Sequence, residues 1–238
     1  MILRLVVILL CWLVTAPAWA ATLDQQVAGS SFSASPTFTL TGGVDAGDTL
    51  VILVSTRNTT ETVTAASDPT NGAWTCPAGA NITYTNSAVG ICYFLNSASS
   101  SGADLTVTLT KSAASWSDVN LSEWSGISGG LDQLNESTDT ASPYTHGSIT
   151  TTGAGVILTV STQNTSGTET ANASFTALTN NTQKDYFQYW ITSGAQTTDG
   201  AYTLGFSTDT SGAIISFLDS AGGPACKGGL LMLGVGRC

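Results

Sequence analysis

Two runs of this chain nearly repeat each other: VILVSTRNT at Val51–Thr59 and VILTVSTQNT at Val156–Thr165. With Thr159 treated as one inserted residue, they differ only at Arg57 against Gln163. A sequence unit used twice means a structural unit used twice, so the repeat constrains the fold more than any other feature. We expect two related all-β halves, about residues 44–127 and 147–223. A weaker copy supports this. Tyr93–Gly126 and Tyr189–Gly222 share one plan: an aromatic-aliphatic run, a polar turn, an alternating strand, a second turn and a strand ending at Gly. Leu105, Val107 and Leu109 match Tyr202, Leu204 and Phe206, each set alternating with polar residues as a strand with one buried face requires. In this alignment Glu123 matches Asp219, and Cys92 matches Gln188.

No helical periodicity follows residue 20. Short β-branched segments, Thr37–Thr41 and Thr49–Thr56 through Asp185–Thr192 to Gly212–Asp219, are separated by turn signals such as Asp68-Pro69-Thr70-Asn71-Gly72 and Asp199-Gly200. Strands at this spacing predict an all-β fold, an antiparallel sandwich of jelly-roll type. Residues 21–223 are expected to form one sandwich from both halves, with Asn135 to Pro143 as the crossover.

The first twenty residues, MILRLVVILLCWLVTAPAWA, combine a basic start at Arg4, an apolar run and the small-x-small sequence Ala18-Trp19-Ala20. They predict a secretory signal peptide, cleaved before Ala21. Hence an exported, extracellular or surface protein is expected, with no membrane span in the mature chain. For the tail, residues 224–238, three readings compete: a disordered or processed end, a loop closed by Cys226 and Cys238, and a strand that adds to a neighbour's sheet edge.

Cleavage removes Arg4 and leaves five basic residues against sixteen acidic ones, a net charge of −11. Such a chain lacks the clustered Lys and Arg that phosphate binding requires, so neither nucleic acid nor an anionic lipid surface is an expected partner. Of the four remaining cysteines, Cys76 and Cys92 flank strands of one hairpin and are the favoured disulfide, while Cys226–Cys238 is the weaker pairing. No cysteine spacing fits zinc.

Gly126-Ile127-Ser128-Gly129-Gly130 matches the form of a nucleophile elbow, and Asp132 or Asp139 then precedes His146, the single histidine. The elbow needs a strand–turn–helix context, and the three groups are too close in sequence for a triad. We therefore expect a Gly-rich turn at Ser128 and a surface position for His146. Glu123, beside Trp124, is the best single candidate for glycoside hydrolysis, but that chemistry needs a second carboxylate and the sequence offers none. Asp45, Asp48, Asp199 and Asp209 supply oxygen donors for calcium without a recognised ligand spacing, so no cofactor is expected. In Asp185–Trp190, Tyr186 and Trp190 share one strand face and are candidates for stacking on sugar rings. Trp74, Trp116 and Trp124 are expected in the core.

Several short motifs resemble a β-sandwich module common in secreted bacterial proteins of uncharacterised function. They are Ala46-Gly47-Asp48-Thr49-Leu50-Val51, Ser67-Asp68 with Asn71-Gly72-Ala73-Trp74, Cys92-Tyr93-Phe94 with Gly102, Ser122-Glu123-Trp124-Ser125-Gly126, and Leu131-Asp132-Gln133. The resemblance covers most of the mature chain and carries over no catalytic residue. It implies an extracellular structural or adhesive module. The expected function is therefore non-catalytic: surface attachment, or matrix or filament building by self-association. The alternatives are a carbohydrate-binding module using Tyr186 and Trp190, and a hydrolase using Ser128 or Glu123.

Overall fold

A computed structural model describes residues 20–57, 61–140, 142–163, 169–179, 185–204 and 209–220. Cys226, Cys238, the tail and residues 1–19 lie outside the described residues. The first half contains β1 (Thr22–Ser33), β2 (Thr37–Leu40), β3 (Thr49–Arg57), β4 (Val63–Asp68), β5 (Gly72–Ala73), β6 (Asn81–Tyr84), β7 (Ser87–Phe94), β8 (Leu105–Lys111) and β9 (Ser115–Ser125). The second contains β10 (Ile127–Asp139), β11 (Ile149–Thr150), β12 (Gly155–Gln163), β13 (Glu169–Ala171), β14 (Thr176–Ala177), β15 (Asp185–Thr192), β16 (Thr197–Thr198), β17 (Tyr202–Leu204) and β18 (Thr210–Asp219). The strands pair antiparallel, giving the all-β sandwich architecture that the strand spacing predicts. Among the described residues no helix is long and apolar enough to cross a membrane.

Two five-stranded sheets, β1-β9-β3-β7-β6 and β10-β18-β12-β15-β14, pack face to face at the centre. Val51, Leu53, Ile91 and Trp124 of the first meet Val156, Leu158, Phe187 and Phe217 of the second in the largest core. The outer face of the first central sheet is covered by the sheet β2-β8-β4-β5, which closes a second core around Leu50, Ile52, Leu105, Val107 and Leu109. The outer face of the second is covered by the small pairs β11–β16 and β13–β17, with Ile149, Ile157, Phe175 and Ile214 between. Four layers result. In β3 and β12 both faces are buried, which explains why these segments are continuously apolar while β8 alternates. Each fully buried aliphatic side chain contributes about 1.5–3 kcal/mol of transfer free energy.

Thr159 is not an insertion. β12 runs in unbroken register against both β15 and β18, with Thr159 opposite Gln188 and Ile214. Val51 and Leu53 face the inner core, as do Val156, Leu158 and Val160. Ser55 therefore corresponds to Val160, and Ser161 points to the other face. A one-residue slip without a bulge reverses the facing of every later side chain. The same counting corrects two further matches. Glu123 lies opposite Leu50 on β3, and Leu218 opposite Gly155 on β12, so Asp219 corresponds to Trp124 instead. Cys92 lies opposite Ile52 and Trp190 opposite Ile157, so Trp190, not Gln188, takes the place of Cys92.

Asn135–Asp139 belongs to β10, and the halves are joined by Gly126 between β9 and β10. The Ser128 segment is accordingly the beginning of a thirteen-residue strand with a register shift between Ile127 and Gly130, not a turn. The strands that local pattern does not reveal, β1 and β10, are both sheet edges.

Candidate functional site

Glu123 reaches into a polar hollow of about 260 Å³ lined by Asp24, Gln25, Gly43, Asp45 and Ser99. Its carboxylate is nearly buried and accepts the Asp45 backbone N–H at 2.7 Å and the Gln25 side-chain amide at 2.5 Å. Gln25 also donates to the Gly43 carbonyl at 2.5 Å. The turn before β3 is tied down by Ser97, which donates to the Asp45 and Asp48 carbonyls at 2.7 and 2.8 Å. Asp48 thereby sits beside Glu123. Burial and then the charges of Glu123, Asp24 and Asp45 raise its carboxyl to about 7, and a hydrogen bond to Glu123 favours the same protonated form.

The structure thus brings together the hydrolase candidate Glu123 and two calcium candidates, Asp45 and Asp48, which the sequence separates by 78 and 75 residues. The protonated Asp48 carboxyl is the donor in its contact with Glu123. The two carboxyls are closer than the separation of about 5 Å or more that glycoside hydrolysis uses. This arrangement can exchange a proton near neutral pH, and its geometry clasps β1, β3 and β9 together. Among the described residues no three His, Cys, Asp or Glu side chains are disposed to hold a metal ion. Asp199 lies in the other half, its carboxylate accepting the Ala201 N–H at 3.0 Å.

His146 is fully buried, not on the surface. Its ring packs among Tyr144 at 5.5 Å and Tyr202 at 5.2 Å, while Tyr186 stacks on Tyr202 at 5.8 Å. Its backbone N–H is held by the Asp199 carbonyl at 2.9 Å. Burial lowers the imidazole to about 4, although nearby backbone groups of Gly200 and Asp199 and the Asp199 charge favour the cation. Those groups are close without completing a well-shaped bond: among the described residues neither ring nitrogen has a hydrogen-bond partner, nor do Thr159 Oγ1, Ser161 Oγ and Gln188 Oε1. Asp132 is engaged by Thr152, at 2.8 Å to both N and Oγ1. Ser128 lies in β10, which β11 follows, so the strand–turn–helix setting of an elbow is missing from this part of the fold.

Tyr186 and Trp190 do share the outward face of β15, but both are half-buried, Tyr186 against Tyr202 and Trp190 against Phe175 at 5.8 Å. Trp74 and Trp124 are buried as expected, Trp74 donating to Asp68 at 2.7 Å. Trp116 is not: it is 53% exposed, beside Phe32 at 60%. The two are cross-strand partners on β9 and β1, with ring centroids 5.6 Å apart. The pleat points Trp116 to the same face as Trp124, but near the end of the strand, where the second central sheet does not cover it. Exposure at a strand end has no sequence signal. The Cys76 and Cys92 sulfurs are bonded at 2.02 Å, and Cys92 lies in the outer core of the first half. No family model, curated protein or solved structure matches this chain.

Proposed function

We propose that this chain is an exported, non-catalytic structural or adhesive protein that associates with further copies of itself through the open edge of β1. The observation that carries this reading is that β1 runs for twelve residues with β9 as its one sheet partner among the described residues. An edge strand offers unpaired backbone donors and acceptors, and soluble proteins usually blunt it with lysine, proline or inward charge. β1 contains neither lysine nor proline and has a single charged residue, Asp24. The other long edge, β10, carries Asp132, Glu136 and Asp139. The exposed Phe32–Trp116 pair sits at one end of β1, where an added strand would cover it. Antiparallel pairing of β1 with its copy is self-complementary, as a two-fold interface requires. Sedimentation velocity over a concentration series tests the reading. Reversible oligomers are expected, weakened at least ~10-fold in the double variant Phe32→Ser, Trp116→Ser. A chain that stays monomeric throughout would refute it.

Glycan binding is the second reading, and the same exposed pair favours it over Tyr186 and Trp190. A glycan array with wild type and Trp116→Ala decides: binding lost in the variant supports this reading, and no binding by either removes it.

A further inference from the structure

We propose that removal of residues 1–20 releases an α-amino group at Ala21 that forms an ion pair with Asp219, clasping the first strand of the fold to the last. The proposal rests on the expectation of export. The Ala21 nitrogen lies 3.1 Å from Asp219 Oδ1, across 198 residues of sequence. Ala21 is buried against the inner core, whereas Ala20 is exposed. Asp219 ends β18 and is itself held in place, its N–H donating to the Ala154 carbonyl at 2.9 Å, with Ser220 donating to Gly126 at 2.8 Å. Ala20 and Asp219 both line a hollow of about 360 Å³ with Ala154, Trp190 and Ile191, so the junction is open to solvent on one side.

The chemistry is a hydrolysis. A leader peptidase adds water across the Ala20–Ala21 bond. Ala20 leaves with the new carboxylate, and the nitrogen stays on Ala21 as an ammonium. In the uncut chain this nitrogen is a neutral amide with one N–H. After cleavage it carries a positive charge and three donors at the same place, and a charge-assisted bond is roughly twice as strong as a neutral one. Burial raises the Asp219 carboxyl, and the Ala21 hydrogen bond already opposes that rise. An ammonium opposes it further. The position is selective: cleavage one residue later would place the charge on Thr22, an exposed residue at the start of β1. Cleavage one residue earlier would leave a neutral amide facing Asp219.

The test is to export the full chain, determine its N-terminus by intact mass and sequencing, and compare it with a chain kept uncut by Ala18→Leu and Ala20→Leu. Asp219→Asn is made in both forms. The expected N-terminus is Ala21, with an α-amino group titrating by NMR above its ordinary value of about 8 and returning to it in Asp219→Asn. The variant is expected to lower Tm by about 3 °C more in the processed form than in the uncut one. Another N-terminus, an α-amino group with ordinary titration, or equal loss of Tm in both forms would overturn the clasp.

Discussion

The Ser55 hydroxyl of β3 donates a hydrogen bond to the Asp185 carboxylate of β15, joining the two central sheets through the interior. Thr162 donates to the same oxygen at 3.0 Å. Arg57 pairs with Asp118 in the first sheet and lies 3.4 Å from Asp185 in the second. Both carboxylates are buried, so this polar layer holds two sheets in one register at the end of an otherwise apolar interface.

Removing the Asp185 carboxylate takes the acceptor from the buried Ser55 and Thr162 hydroxyls, while Arg57 keeps Asp118. Asp185→Ala is expected to destabilise the fold by about 2–4 kcal/mol, seen as a lower urea midpoint with an unchanged slope. A variant as stable as wild type would mean that the layer contributes specificity alone.

His146 makes stability acid-sensitive. Its folded value, about 4, lies below the ordinary 6.5, so between those values the unfolded chain binds a proton that the folded chain does not. Stability is full above pH 6.5 and falls as pH drops toward 4. The loss is about 3 kcal/mol at 1.36 kcal/mol per unit. In His146→Leu, unfolding free energies measured between pH 4 and 7 should lose that component of their slope.

Asp48 acts in the opposite sense. Its folded value of about 7 lies above the unfolded 3.8, so its contribution is greatest below pH 3.8 and is lost as pH rises through 7. Asp48→Asn mimics the protonated carboxyl and is expected to raise stability by roughly 1 kcal/mol at pH 8, a figure reduced for its contact with solvent, with little effect at pH 4. Thermal unfolding at the two pH values gives the comparison.

Loss of the Cys76–Cys92 bond, whose cysteines are 16 residues apart, should cost about 3 kcal/mol in the chain-entropy model. The expected fall in Tm is about 6–12 °C for a chain of this size. Scanning calorimetry of Cys76→Ser with Cys92→Ser measures it. An unchanged Tm would show that the reduced chain keeps that hairpin closed.

Strand identity was largely legible because it is a local property. Asp185–Thr192 was predicted with the same limits that β15 has, and the alternation in Leu105, Val107 and Leu109 marks the buried face of β8. The edges were not legible. β1 and β10 bury little on their outer sides, so no strong apolar period marks them. Nor was the carboxyl site: Asp48 lies in the turn before β3 and Glu123 on β9, and nothing near either residue announces the other.

The sequence by itself determined that this chain is all-β and where most of its longer strands lie. Periodicity and apolarity act over a few residues, and the chain states them directly. Only tertiary structure decided that Ser55 and Ser161 face different layers, that His146 is buried and Trp116 exposed, and that Asp48 sits beside Glu123. Each depends on register between strands distant in sequence. A shift of one residue there exchanges inside for outside while leaving every local pattern intact.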